Sequence, residues 1–190
     1  ANFDFNLNMW SATRAEDLRL SLKRLNKINL SKSSNEILEV ILFSFSYPPQ
    51  GMDEKEFIDL KIDWLIENDR VDLLESFLKQ NEKFDSKSRA VQYLVDKKIA
   101  NGNIKEGCEQ IKFIDTNIKD SYLERFKIYC LIFNEKKPEA QLLLDLLREQ
   151  KQSSKFYDDK INFLLGVTNK TNDKKSEAQL LLDLLREQKQ

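Results

Sequence analysis

Short polar breaks recur at a nearly constant interval along most of the chain, and their spacing is the strongest constraint on its fold. The breaks begin at Glu67, Asn101 and Asn134, so they lie 34 and 33 residues apart. Between them, apolar residues follow the three- and four-residue intervals of amphipathic helices. A period of this length is typical of stacked helix-turn-helix units. We therefore predict an all-α chain of antiparallel helix hairpins stacked as a short α-solenoid, with an irregular helical bundle as the alternative.

The same pattern sets the predicted domain limits. Residues 1–52 are predicted to form a lead-in and a two-helix cap, in which the capping-box pattern of Thr13 and Glu16 starts a helix at about 14–27. Ser33 or Ser34 is predicted to cap the second helix, which ends before two consecutive prolines. Repeats are predicted over 53–175, followed by a last helix over 176–190. The four predicted hairpins pair 53–67 with 70–82, 87–100 with 104–115, 120–134 with 138–151, and 155–168 with 176–189.

One turn carries a family resemblance. The stretch Ala100-Asn-Gly-Asn-Ile-Lys-Glu-Gly107 resembles the interhelical turn and second-helix start of tetratricopeptide repeats. In that family, a glycine turn precedes a small residue that lets the two helices approach closely. The equivalent positions here are Leu74, Gly107, Ala140 and Ala178. The chain departs from the family pattern at Leu74, in lacking the closing proline, and in its large first-helix residues Ile62, Val95 and Ile128. The resemblance covers about residues 53–190 and implies a solenoid that binds protein partners.

A second resemblance concerns origin. The stretches MWSATRAEDLRLSLKRL and LLLDLLREQ are similar to Ala- and Leu-rich repeat proteins exported by alphaproteobacteria. This similarity implies a bacterial protein, with the periplasm as a candidate location, and it implies no particular activity.

Composition argues against several classes of function. The chain has no histidine, which removes the commonest general acid-base group and the usual zinc ligand. Its 31 basic and 32 acidic residues give a net charge of -1, so no global field favours nucleic acid. No run approaches the roughly 18 apolar residues of a membrane span. We therefore predict a non-enzyme with no cofactor and no metal, and an enzyme based on carboxylates is the minor alternative.

The resemblance also indicates where a partner would bind. In tetratricopeptide repeats the first helices of the hairpins line a concave groove, which suits a peptide or helical ligand. The corresponding polar and aromatic positions are Glu56, Asp59, Asp63, Arg89, Gln92, Asp96, Tyr122, Arg125 and Tyr129. The simpler alternative is that these side chains are only solvated helix faces.

The two cysteines, Cys108 and Cys130, lie on helices that we expect to be antiparallel neighbours. A disulfide between them is geometrically allowed if the helices slide slightly. The sequence favours the alternative, two small buried residues that pack without bonding.

One helix occurs twice. Residues 139–152 and 177–190 both read EAQLLLDLLREQKQ. A recent duplication fits this identity, as does an engineered copy appended to a truncated array, and the restriction to one helix favours the second. Leucines surround more than half of this helix, so the copy is expected to leave an apolar stripe exposed and to form a homodimer through it.

The chain is therefore predicted to be a protein-interaction scaffold or, alternatively, an assembly subunit that associates through its ends.

Overall fold

The computed structural model describes residues 5–81, 84, 87–114 and 120–167, and this part of the chain is all-α. No β-strand occurs in it, and an isolated parallel bridge joins Arg14 and Gln50. The predicted all-α class is therefore confirmed for these residues. The described helices are α1 (Ala15–Leu25), α2 (Lys32–Phe43), α3 (Glu54–Glu67), α4 (Val71–Gln80), α5 (Lys87–Ala100), α6 (Ile104–Glu109) with a 3₁₀ helix (Gln110–Phe113), α7 (Ser121–Phe133), α8 (Lys137–Glu149) and α9 (Lys155–Leu165).

The chain forms two compact units, Ala1–Ser86 and Lys87–Gln190. Helices α1 to α4 belong to the first unit, and α5 to α9 belong to the second. The domain limits at residues 52 and 175 stay predictions, as does the helix expected at 176–189, which lies outside the described residues.

The first two helices begin differently from the sequence prediction. Arg14 is the N-cap of α1 and makes no side-chain cap, so the predicted capping box does not form. Instead, the Ala15 amide donates to the Gln50 carbonyl at 2.9 Å, because the segment after α2 runs beside the lead-in. Helix α2 is capped by Ser31, whose hydroxyl accepts from the Ser34 amide at 3.2 Å, and not by Ser33 or Ser34.

Helices α3 and α4 form a hairpin whose inner faces are apolar. The α3 side chains Ile62 and Leu65 are fully buried, as is Leu74 of α4. An aromatic cluster extends this core, with Phe43 of α2 lying 5.9 Å from the Trp64 ring and 6.1 Å from the Phe77 ring between centroids. Burial of these side chains contributes to the free energy of folding of the first unit.

Helix α7 packs against every other described α-helix of the second unit. Helix α5 packs against α6 and α7, and α8 and α9 also pack against α7. A cluster of buried residues joins α7, α8 and α9. It consists of Ile128, Ala140, Leu144, Leu147, Tyr157 and Ile161.

Three interhelical turns share one geometry at one interval. Asp69, Gly102 and Glu135 have φ values of 54°, 78° and 59°, and they lie 33 residues apart. In each turn, the amide of the following residue donates to the carbonyl five residues before it, which is the hydrogen bond of a Schellman C-cap. The 33-residue period of the sequence therefore reappears as a repeated backbone conformation.

Gly107 lies where α6 meets two neighbours, as expected for the close-approach position. A Cβ atom there would lie 3.5 Å from the Ile99 side chain and 3.5 Å from the Phe126 ring. A methyl group therefore fits in ordinary contact, and a larger side chain does not.

We expect Gly107→Leu to lower the free energy of unfolding by about 1–3 kcal/mol, because overpacking displaces the Ile99 and Phe126 side chains. Gly107→Ala is the matched control, and it should be neutral or stabilising by up to about 1 kcal/mol, since alanine is the better helix former. Urea denaturation of both variants measures the difference. Equal stabilities for the Leu and Ala variants would contradict the close-approach assignment.

Candidate functional site

A cleft of about 560 Å³ lies between α1 and α3 in the first unit. Its apolar lining comes from Leu22, Leu60 and Trp64. The wall on the α1 side is basic, with Arg19 and Lys23 from α1 and Lys27 from the turn that follows it. The α3 wall is acidic and contains three of the nine predicted groove residues together with one more carboxylate: Glu56, Asp59, Asp63 and Glu67. The cleft thus places opposite charges on either side of an apolar strip.

Hydrogen bonds cross this cleft near both ends. Arg19 Nε donates to Glu56 Oε1 at 2.8 Å, and the Asn26 side-chain amide donates to Glu67. Because Arg19 precedes Asn26 as Glu56 precedes Glu67, α1 and α3 run parallel. These contacts join the two walls of the cleft, which is open in the chain without a partner.

The other six predicted groove residues lie in the second unit. Most of them form hydrogen bonds to one another or to other residues of that unit. Gln92 Nε2 donates to Asp120 Oδ2 at 2.7 Å, which links α5 to the N-cap of α7. The Tyr122 hydroxyl donates to Asp96, and Arg125 Nε donates to the Gln152 carbonyl at 3.0 Å. These side chains therefore stabilise the packing of neighbouring helices.

The two predicted groove tyrosines do not face solvent. Tyr122 is 8% exposed and Tyr129 is 3% exposed, and the Tyr129 ring stacks on Phe126 with centroids 6.4 Å apart. Burial and the hydrogen bond to Asp96 raise the pKa of the Tyr122 phenol. Neither ring is therefore available to a partner, whereas Arg89 is exposed at the start of α5.

Sequence reasoning missed two features of the first unit. The first is the basic wall, for which the four-residue spacing of Arg19 and Lys23 was a sequence signal, because it places both side chains on one face of α1. The second feature is Lys61 of α3, a lysine on the buried face that is only 8% exposed. Its Nζ lies 4.2 Å from the centre of the Phe57 ring, and burial lowers its pKa to about 8. Its position four residues from both Phe57 and Leu65, which are buried, places it on the apolar face of α3, and this spacing was the available sequence signal.

Cys108 and Cys130 form a disulfide that joins α6 to α7, with Cα atoms 5.5 Å apart. The structure thus has the bonded pair and not two unbonded thiols. Cys130 is buried, and Cys108 is partly exposed.

Helices α2 and α8 each expose two large apolar side chains. Helix α2 exposes Ile37 and Val40, and the segment after it exposes Tyr47 and Phe45. Phe45 is 84% exposed. Helix α8 exposes Leu142 to 64% and Leu146 to 42%. The sequence of α8 recurs at 177–190, which lies outside the described residues, so the predicted stripe on that copy stays a prediction.

No group of three or more potential metal ligands lies together in the described part of the chain. Within the same part, no helix combines the length and apolar character needed to cross a membrane. Comparison with protein-family models, curated proteins and solved structures found no significant match to this chain.

Proposed function

We propose that this protein is a non-catalytic helical-repeat scaffold that binds a segment of another protein in the cleft between α1 and α3. The observation that carries the proposal is the combination of an apolar strip with oppositely charged walls. Apolar lining supplies affinity for a peptide or helix, and the charges set its orientation and register. The volume of about 560 Å³ suits several side chains of a docked segment.

Two further observations support a tetratricopeptide-like array. Schellman turns lie 33 residues apart at Asp69, Gly102 and Glu135, between the two helices of each successive hairpin. The first helices of successive hairpins run parallel within each unit, as the contacts of Arg19 with Glu56 and of Asn26 with Glu67 show for the first unit. In the second unit, this direction follows from the contacts of Gln92 with Asp120 and of Asp96 with Tyr122. Parallel first helices with repeated turns are the arrangement from which a groove is built. The disulfide fits an oxidising compartment, so we propose the bacterial periplasm as the location.

Reversing the charge of the basic wall tests whether the cleft binds a segment of another protein. Lys23 and Lys27 are both exposed. Peptides selected on the wild-type protein from a displayed random library should bind the Lys23→Glu, Lys27→Glu variant at least about tenfold more weakly, which corresponds to about 1.4 kcal/mol. Isothermal titration calorimetry with the selected peptides provides the measurement.

The control for this experiment is Lys32→Glu, which changes the charge of another exposed lysine outside the cleft. Its affinity for the same peptides should equal that of the wild type. The proposal fails if no sequence is enriched, or if the Lys23 and Lys27 changes leave binding unaltered.

The second candidate function is assembly through the ends of the array, and the exposed leucines of α8 favour it. A helix with the same sequence and packing at 177–190 would expose Leu180 and Leu184, the counterparts of Leu142 and Leu146. Each leucine that becomes fully buried between two molecules contributes about 1.5–3 kcal/mol. A two-fold contact between such stripes would therefore support a homodimer.

Analytical ultracentrifugation tests this second function. We expect the wild-type chain to sediment as a dimer and the Leu180→Glu, Leu184→Glu variant as a monomer. A Gln179→Glu, Gln188→Glu variant adds the same charge at polar positions and should remain dimeric. A wild-type chain that stays monomeric at high concentration, or a dimer that survives the leucine changes, excludes this contact.

A further inference from the structure

The charged groups that line the cleft between α1 and α3 differ in whether the chain already uses them. On the acidic wall, Glu56 accepts a hydrogen bond from Arg19. The three other carboxylates of this wall also interact within the chain: Asp59, Asp63 and Glu67. Each acidic group of the cleft therefore has an interaction that a partner would have to share or replace.

The basic wall is different, because two of its three cations have no such contact. Arg19 is paired with Glu56. Lys23 and Lys27 are exposed, and their ammonium groups form no hydrogen bond or ion pair with any residue that the structure describes. Both lysines border the cleft. The charges that the cleft offers to a partner are therefore these two cations.

This difference favours a partner of one charge. A carboxylate of the partner can form an ion pair with Lys23 or Lys27 without breaking a contact of the chain. A cationic partner would instead compete with Arg19 for Glu56, so that its gain is offset by a loss within the chain. The acidic wall repels a bound carboxylate and keeps it on the α1 side of the cleft.

We propose that the segment bound in this cleft is acidic, with carboxylates that pair with Lys23 and Lys27 while its apolar side chains lie on the strip between the walls. This inference rests on the proposed function and adds to it the chemical class of the partner. A helical segment with acidic residues four positions apart matches the spacing of the two lysines, because such side chains are neighbours on one helix face.

Two displayed libraries of amphipathic helical peptides test this charge preference. They share the same apolar positions, and one contains only Asp and Glu as charged residues while the other contains only Lys and Arg. The wild-type protein should enrich peptides from the acidic library and none from the basic library. Because the net charge of the chain is -1, acidic peptides have no general attraction to it.

Exchange of charge at the two lysines tests where the acidic peptides bind. The Lys23→Glu, Lys27→Glu variant should reverse the preference and enrich the basic library, whereas Lys32→Glu, outside the cleft, should keep the preference of the wild type. Selected acidic peptides that carry amides in place of their carboxylates should bind the wild type roughly three- to thirtyfold more weakly, as expected for the loss of two exposed ion pairs.

The outcomes separate this inference from the proposed function. Enrichment from neither library on the wild type overturns both. Enrichment from the basic library, equal enrichment from both libraries, or an acidic preference that survives in the Lys23→Glu, Lys27→Glu variant overturns the acidic partner alone.

Discussion

Loss of the disulfide between Cys108 and Cys130 should lower the free energy of unfolding of the second unit by about 3 kcal/mol, the value expected for a closed loop of 22 residues. The position of the disulfide between α6 and α7 explains why its loss lowers the free energy of unfolding. Helix α6 has only six residues, and Gly107 is its one buried residue. Because α6 buries so little apolar surface, the covalent link supplements the packing of α6 on α7. An unfolded chain without that link gains the freedom that the bond had removed.

Thermal unfolding of the Cys108→Ala, Cys130→Ala variant measures this effect, and we expect the midpoint to fall by roughly 10–20 °C. The wild type in a phosphine reductant should unfold near the same temperature as the variant. The variant itself should not respond to the reductant, which makes it the control for non-specific effects. Two titratable thiols in the untreated, denatured wild type would show that the bond is absent.

The limits of three helices could be predicted from the sequence because their signals are local, whereas α6 and α9 end before the predicted residues 115 and 168. The observed α3, α5 and α7 begin and end within one residue of the predictions 53–67, 87–100 and 120–134. Capping residues and polar breaks act within a few positions of the helix end that they mark, so a single sequence displays them. The caps of α1 and α2 were missed because one depends on Gln50, which is distant in sequence, and three serines compete near the other.

The candidate site was only partly predictable, because it depends on which helices become neighbours. The acidic residues of α3 were identified, but the basic wall belongs to another helix and gains its meaning only beside α3. Tyr122 was placed in a groove, whereas its hydroxyl turns inward to Asp96, a partner 26 residues away. Position on a helix face can be inferred from periodicity, but burial also depends on what packs against that face.

Lys61→Met should stabilise the first unit at neutral pH by about 2 kcal/mol. Burial lowers the pKa of Lys61 from 10.5 to about 8, and each pKa unit corresponds to about 1.36 kcal/mol. The folded protein therefore carries a cost for the buried charge of at most about 3 kcal/mol, part of which the Phe57 ring offsets. Methionine has a similar length and no charge, so the substitution removes the cost while keeping the volume.

The pH dependence of the stabilisation by Lys61→Met shows whether it comes from removing the buried charge or from better packing. Below about pH 8, Lys61 is protonated in both the folded and the unfolded chain, and the full cost applies. Between about pH 8 and 10.5, the unfolded chain binds more protons than the folded one, so the stability of the wild type rises with pH. The advantage of Lys61→Met should therefore shrink across this interval and vanish above it. Urea titrations at pH 7, 9 and 10.5 measure it, and Lys79→Met, at an exposed lysine of α4, should change stability by less than about 0.5 kcal/mol throughout. A gain that stays constant with pH would mean that packing, and not the charge of Lys61, limits the stability of this unit.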